Sequence, residues 1–472
     1  MRMGRGGAGG RGAGGAARVA AARGRRAARV VARAARGRRA GGAGGGAGGA
    51  RAARGKAEAF QSARSALECF GPTGMIQCTI MMNNTMTSDA RAIAADLAAR
   101  FGERAIVHDR DGTFPLENYA DLHESGYLRL VIPPEYGGAG ADLPTMCRAQ
   151  ARLAQGDAGT ALAVSMLVQL LGRVAEDRSW PAPLFADICT TIARDGGLIN
   201  SIVTEPELGS ISRGGLPATT ATPVAGGMLL NGHKIFATGA PALRYMLVMA
   251  SIPAHEAAPR GERLTAIIPA ATPGVRIAEN WGDGLAMRTS GSHDVYLDDA
   301  FVPDAWVLSR QPVAEAPAAP PGANGWGLTV SAVYLGIGQA ALAAACDYAN
   351  TRVPPSLGAP IATLPHIQQT IGQMQLQLTA AETVLEHAAR RWMADPAGRS
   401  SMGALLASAK MLATNAACSA SEAALRVGGG FSLTRDLPLE RHFRDARAGL
   451  FNPPQDDLAL TIIGKAALAE RG

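Results

Sequence analysis

Val203-Thr204-Glu205-Pro206-Glu207-Leu208-Gly209-Ser210, followed by Asn231-Gly232-His233-Lys234-Ile235-Phe236-Ala237-Thr238-Gly239-Ala240, decides the fold of this chain. Two short β-like runs end here in hydroxyl-bearing turns. Asn231-Gly232 between them reads as a hairpin turn. Thr, Ser and backbone amides at strand ends can hold the polar edge of a flat ring, and an aromatic such as Phe236 can pack on its face.

Outward from these runs the β-like pattern extends over Leu198 to Val203, Thr219 to Val224, Met228 to Phe236, Tyr245 to Ser251, Leu264 to Ile268, Val275 to Glu279 and His293 to Asp298. Gly226-Gly227 reads as a further turn. Seven strands at this spacing predict a small barrel or sandwich. On the N-terminal side the period is helical: Ser88 to Phe101, Leu116 to Ser125, Pro144 to Ala154 and Thr160 to Glu176, with a loop at Pro133 to Gly138. On the C-terminal side, a Pro/Ala-rich linker precedes long helices at about 326–350, 366–393 and 401–427 and one at the C-terminus. Ile367, Ile371, Met374, Leu378, Leu385, Ala388 and Trp392 recur at spacings near three and four, the buried seam of a bundle helix. The expected class is α+β, mostly α. It comprises an N-terminal helical domain (86–196), a middle β-barrel domain (197–310), a linker (311–322) and a C-terminal four-helix bundle (323–472).

Residues 1–85 read as an Ala/Gly/Arg-rich leader. The first 56 hold 14 Arg, one Lys and no acid, so a net charge of +7 leaves −8 for the remainder. The basic character thus belongs to the leader, with an acidic enzyme behind it. A phosphate-binding tail would usually interleave aromatic residues, and none precedes Phe60. A transit peptide would carry Ser and an amphipathic period. Translated upstream sequence with a misplaced start is the favoured reading, since Met75, Met81, Met82 and Met86 all precede the first clear helix. Such a composition cannot bury apolar surface and is expected to be disordered.

The six Cys form no C-x-x-C pair, which fits reduced thiols in a cytoplasmic protein. The eight His show no ligand spacing, so no metal is expected. No apolar stretch of transmembrane length is free of Gly, Pro and charge, so no membrane span is expected. Nucleic acid is not an expected partner of the folded part.

From about Asp89 to Leu468 the chain resembles the acyl-CoA dehydrogenase superfamily. Pro133 to Gly140 resembles its N-terminal signature loop. The resemblance implies FAD, with FMN as the alternative. It assigns Val203 and Thr204 to the flavin's pyrimidine edge and Ser210 to a hydroxyl near flavin and thioester. Phe236 takes the place of a Trp against the isoalloxazine, and Thr238 that of the hydroxyl at flavin N5. Ile211 stands where the family has an acid. Met287 to Asp294 and Phe301-Val302-Pro303 resemble the motifs around the last barrel strand. Arg352, with Leu357 to Ile361 after it, resembles the loop reaching a neighbouring subunit's flavin pyrophosphate, a task suited to the planar guanidinium. Gly428-Gly429-Gly430 resembles the glycine turn near the adenosine part, and Arg444-Asp445-Ala446 the family's anchor. Read singly, each has a plainer account: Thr204-Glu205-Pro206 is a turn, the three glycines a loop, Arg352 a solvated charge.

Dehydrogenation needs a carboxylate to take the α-proton while the flavin takes the β-hydride. The family's Glu falls nine residues after the Arg of Arg-Asp-Ala, and here that residue is Pro453. The family's other location, on an earlier helix, falls at Trp326 and Gly327. Asp456 and Asp457 are the nearest acids, though both suit the start of a helix. Three readings follow. The first is α,β-dehydrogenation of an acyl thioester with a shifted acid. The second is a reduced-flavin monooxygenase resembling the dibenzothiophene monooxygenase branch, with Ser210 and Thr238 near N5 and Asn452 as the nearest polar group. The third is a non-catalytic flavin- or acyl-binding partner. Implied partners are a small-molecule substrate, an electron acceptor or flavin reductase, and further copies of the chain in a homodimer or homotetramer.

Overall fold

The computed structural model describes residues 72–207, 216–313 and 323–469, with side chains from Asp89 onward. Contacts divide the chain into units Met1–Ile80 and Met81–Gly472; the side-chain packing below belongs to the second. The expected leader therefore lies largely outside the described residues. Its last part does not match the expectation, because helix α1 runs Pro72–Asp111 rather than starting at Ser88. No Gly or Pro interrupts Met75 to Phe101, so nothing local stops the helix.

Four more helices follow: α2 (Leu116–Glu124), α3 (Leu143–Ala154), α4 (Ala158–Asp177) and α5 (Ala182–Asp195). Asp142 and Asp157 cap α3 and α4, accepting the amides of Thr145 at 2.9 Å and Thr160 at 3.2 Å. Each side chain satisfies an amide the helix itself leaves free.

The middle part is an eight-stranded sheet: β1 (Leu198–Ile202), β2 (Thr220–Val224), β3 (Gly227–Ala237), β4 (Leu243–Ile252), β5 (Glu262–Pro269), β6 (Val275–Ala278), β7 (His293–Pro303) and β8 (Val307–Pro312). The order is β6-β7-β3-β2-β4-β5-β8, with β1 parallel to β4. Strand β8 was not expected; it closes the middle part, with its last two residues in the supposed linker, and pairs antiparallel with β5. Asn231-Gly232 is not a turn. Both residues lie inside β3, where the register with β7 shifts between Leu230 and Gly232. The β2–β3 reversal lies instead at Ala225-Gly226, with Val224 opposite Gly227. An Asn-Gly pair favours a tight turn only where both flanks can pair with each other. Here Asn231 pairs with Thr220 of β2, and Gly232 with Leu297 of β7.

The C-terminal part holds α6 (Leu328–Thr351), α7 (Pro365–Ala394), α8 (Gly403–Gly428), α9 (Leu439–Ala448) and α10 (Asp456–Ala469). The short α9, which carries Arg444-Asp445-Ala446, was not read from the periodicity. Helices α4 and α6 are long and apolar enough to cross a membrane, but 78% and 67% of their apolar windows are buried inside the protein. Both read as core helices, apolar on most faces because most of their surface is packed.

Small residues let the layers close. A Cβ on Gly336 of α6 would lie 2.1 Å from the Ala151 carbonyl of α3. A Cβ on Gly159 of α4 would lie 2.1 Å from the Thr289 hydroxyl, beside the turn that precedes β7. At that crossing Asp157 also accepts the Thr289 hydroxyl at 2.7 Å, so one cap residue ties a helix to the sheet. Glu176 at the far end of α4 receives the indole N–H of Trp326 and of Trp392 and pairs with Arg399 at 2.8 Å.

Candidate functional site

The two segments quoted first lie side by side, the Ile235 amide donating to the Thr204 carbonyl at 3.0 Å. Beneath them Lys234 and Glu205 form an ion pair at 2.5 Å with neither side chain exposed. Glu205 also receives the Thr219 hydroxyl at 2.5 Å and the amides of Thr219 and Ala218 at 3.0 and 2.5 Å. Lys234 donates to the Met249 carbonyl at 2.7 Å. Burial alone would raise the Glu205 carboxyl; the Lys234 ammonium and Thr219 donors outweigh it and hold it below the usual carboxylate range. Within Thr204-Glu205-Pro206, then, the acid is a strut, and Val203 and Thr204 are the residues it presents.

At the end of β3 a second register shift, between Lys234 and Ala237, turns Phe236 outward. Its φ is +57° and it is 56% exposed. That backbone costs a bulky residue on the order of 1–3 kcal/mol and is typical of functional sites. Trp281 braces the ring edge-on at 5.8 Å and 83°. Trp281 is itself held by its indole N–H on the Met287 carbonyl at 2.8 Å and by its amide on His293 Nδ1 at 3.1 Å. Burial lowers the His293 pKa and so favours the neutral ring with a free lone pair.

Thr238 follows at once. Its hydroxyl meets that of Ser292 at 3.0 Å, and Ser292 meets Ser290 at 2.7 Å. Its carbonyl accepts from Asn200 at 2.9 Å. A braced, exposed aromatic therefore stands beside a relay of three hydroxyls, two of them buried. Trp281, Ser290, Ser292 and Asn200 were not singled out from the sequence. Ser290 and Ser292 lie within the motif Met287 to Asp294, but only the fold brings them to Thr238. Ser210 lies outside the described residues.

A second group forms at the ends of α6 and α8. The Arg352 guanidinium lies 4.8 Å over the Phe431 ring, which Gly429-Gly430 carries past the end of α8. Gly429 has φ +56°, and a Cβ there or on Gly430 would meet nothing within 4 Å. Backbone conformation therefore calls for a glycine at Gly429, and the surface beside both is open. An arginine, two glycines and an exposed aromatic suit a phosphate-bearing ligand.

Arg444-Asp445-Ala446 joins three parts of the fold. Arg444 pairs with Asp109 of α1 and with Glu440, each at 2.6 Å. Asp445 accepts the Met287 amide at 2.7 Å, and Ala446 is fully buried.

The two candidate acids differ in their surroundings. Asp456 Oδ2 accepts from Asn415 at 2.9 Å, and its Oδ1 faces buried Lys410 at 3.7 Å, beyond hydrogen-bond range. Asp457 is exposed on the first turn of α10, where an acid complements the helix dipole. Pro453 is exposed, and Asn452 donates at 2.5 Å to the hydroxyl of fully buried Tyr334.

Family models describe three consecutive parts of this chain: the acyl-CoA dehydrogenase N-terminal domain over residues 86–176, the middle domain over 201–300 and the C-terminal domain over 328–451. The chain belongs to the acyl-CoA dehydrogenase superfamily. The superfamily makes it a flavin-dependent oxidoreductase, with FAD or FMN as the flavin. YdbM of Bacillus subtilis (strain 168), named as an acyl-CoA dehydrogenase, is 38% identical over 77% of this chain and 92% of its own. Dibenzothiophene monooxygenase of Rhodococcus qingshengii is 27% identical over 78% and 90%. Among solved structures, FMN-bound TdsC from Paenibacillus sp. A11-2 superposes with a TM-score of 0.71 at 24% identity, covering 81% of this chain and 98% of that one. The superfamily thus spans both chemistries expected from the residues. The first group, an exposed aromatic beside the Thr238 hydroxyl, has the chemistry to take a flat ring, and the second, with Arg352, the chemistry to take a phosphate.

Proposed function

We propose that this protein is a reduced-flavin-dependent monooxygenase. One observation carries the reading: the position counted for the base is Pro453, and of the acids after it Asp456 accepts from Asn415 beside the buried Lys410, while Asp457 is in solvent at a helix start. A dehydrogenase needs a carboxylate at the substrate's α-carbon; an oxygenating site does not. When bound, the flavin supplies two electrons, with which one atom of O2 enters the substrate and the other leaves as water. Phe236 packs on the ring face, and Val203 and Thr204 bind its polar edge. Thr238 presents a hydroxyl there, and the chain through Ser292 to Ser290 can move a proton inward. Arg352 and Gly429-Gly430 bind the phosphate end, in our reading that of a neighbouring copy. A cytoplasmic setting, with a reductase supplying the reduced flavin, completes the proposal.

The second reading is dehydrogenation of an acyl thioester, favoured by the 38% identity to YdbM. One experiment separates the two. The flavin-loaded protein is titrated anaerobically with saturated acyl-CoAs, then supplied with a flavin reductase, O2 and indole or dibenzothiophene. The monooxygenase reading expects no bleaching by the thioesters and an oxygenated product by mass spectrometry. Bleaching by any saturated acyl-CoA, with no oxygenated product, would replace it with dehydrogenation.

A further inference from the structure

Met166, Gln169, Leu170 and Arg173 recur at helical spacing on one face of α4. With strands β1, β4, β5 and β8 they enclose a cavity of about 490 Å³. Arg173 is the only ionisable side chain among the described residues that line it. It is half-buried and makes no hydrogen bond or ion pair among the described residues. Its Nε is sealed without an acceptor, whereas the Nη nitrogens are not sealed, so the group meets the cavity through these. Glu176, one turn further along α4, is taken by Trp326, Trp392 and Arg399 and does not serve Arg173.

The rest of the lining is neutral. Trp180, Leu247 and Met249 give apolar surface, and Thr265 and Ser309, paired across β5 and β8, add hydroxyls. A half-buried guanidinium among neutral walls selects an anion: no carboxylate of the lining competes for it, and none repels an incoming negative charge. One cation beside apolar walls suits an organic monoanion. Inorganic phosphate or a dianion would carry a second charge with no partner. The volume lies in the range of small-molecule sites. Asn200 fixes where the cavity leads. It belongs to the lining, and its side chain donates to the Thr238 carbonyl at 2.9 Å. A single side chain thus links the cavity to the threonine proposed to meet the flavin.

We infer that this cavity receives the acidic end of the substrate, a small organic monocarboxylate whose head pairs with the Arg173 Nη nitrogens and whose apolar body lies along α4 and β4 toward Asn200. Its role as substrate rests on the flavin placement proposed above. Arg173 sets specificity and takes no part in the chemistry.

Calorimetric titration of the flavin-loaded full chain with benzoate, octanoate, benzamide and octanamide tests this, with the flavin's visible band followed in parallel. The amides keep the shape and lack the charge. Arg173→Met removes the cation where no bond is lost. Ser309→Trp fills the cavity from its β8 wall and leaves Arg173 in place, so it serves even if the first variant fails to fold. The expected result is that at least one carboxylate binds the parent and shifts the flavin band, at least about tenfold more tightly than its amide. In each folded variant that carboxylate should bind at least about tenfold more weakly, while the amide binds Arg173→Met as it binds the parent. No carboxylate binding to the parent up to about 5 mM would overturn the site. So would equal carboxylate binding by the parent and either variant, which would place the carboxylate elsewhere. Amide binding as tight as carboxylate binding would overturn the anionic class. Calorimetric binding with an unmoved flavin band would overturn the role as substrate. Binding is read without turnover, so failure of the oxygenase reading, seen as bleaching by an acyl-CoA, is a separate result.

Discussion

Lys234 Nζ and Glu205 Oε1 lie 2.5 Å apart with both side chains sealed from solvent, and each belongs to one of the two segments that carry the residues proposed to meet the flavin. A buried pair of this kind contributes little over two apolar residues, but losing one partner strands a charge. Lys234→Met should therefore cost about 3–5 kcal/mol and release the flavin, because Thr204 and Phe236 flank the pair in sequence. Glu205→Gln, still able to accept from Thr219, should cost less. Denaturant melts and the ratio of visible to ultraviolet absorbance check both.

Thr238→Val removes the hydroxyl at the head of the relay and keeps the side-chain volume. Turnover should fall roughly tenfold to a hundredfold with flavin content unchanged. Ser292→Ala should fall less, since Thr238 keeps its own hydroxyl. If Thr238→Val turned over at the parent rate, the hydroxyl would have no part in the chemistry.

Arg352→Met should weaken flavin binding by about tenfold, on the order of 1.4 kcal/mol, while the melting temperature of the flavin-free protein stays put. Arg352→Lys should recover only part of this, because an ammonium lacks the planar fork. Fluorescence titration with FAD and FMN measures both. An equal flavin affinity in Arg352→Met would return Arg352 to the role of a solvated charge over Phe431.

The Asp445 carboxyl is pushed up to about 7, first by burial and then by nearby Asp109, with the Met287 amide and the Arg441 and Arg444 guanidiniums pulling the other way. An unfolded Asp titrates near about 4. A group raised in the fold contributes stability that is complete below the unfolded value and is lost as pH rises through about 7. Asp445→Asn still offers an oxygen to the Met287 amide without the ionisation. Between pH 5 and pH 8 the variant should lose less stability than the parent, by on the order of 1–2 kcal/mol. Parallel pH profiles in denaturant melts would show that Asp445 is ionised throughout that range.

Pro453→Glu restores an acid at the counted position. If that position faces the substrate, the variant should bleach with a saturated acyl-CoA while the parent does not. An unchanged spectrum would mean the position does not reach the substrate.

The periodicities were legible because burial imposes them. The seam Ile367, Met374, Leu378, Leu385 and Trp392 is buried along α7, as its spacing requires. The seven expected strands all occur, with ends shifted by a few residues. Strand β8 was hidden because Val307 to Pro312 is partly exposed and runs into a Pro/Ala-rich stretch. Asn231-Gly232 misled because a dipeptide's turn preference is local, while the pairing of β3 with both β2 and β7 is not.

By itself the sequence determined the three-part architecture, the superfamily and the residue types at the positions proposed for the flavin, since these rest on period, order and spacing along one chain. Only the tertiary structure decided what each polar group does. It made Glu205 a buried strut, joined Thr238 to Ser292 and Ser290, braced Phe236 with Trp281 and set Asp456 beside Asn415 and Lys410. Those roles depend on which distant groups come into contact, and a hydrogen bond, ion pair or ring contact is set by packing between elements, which no local pattern encodes.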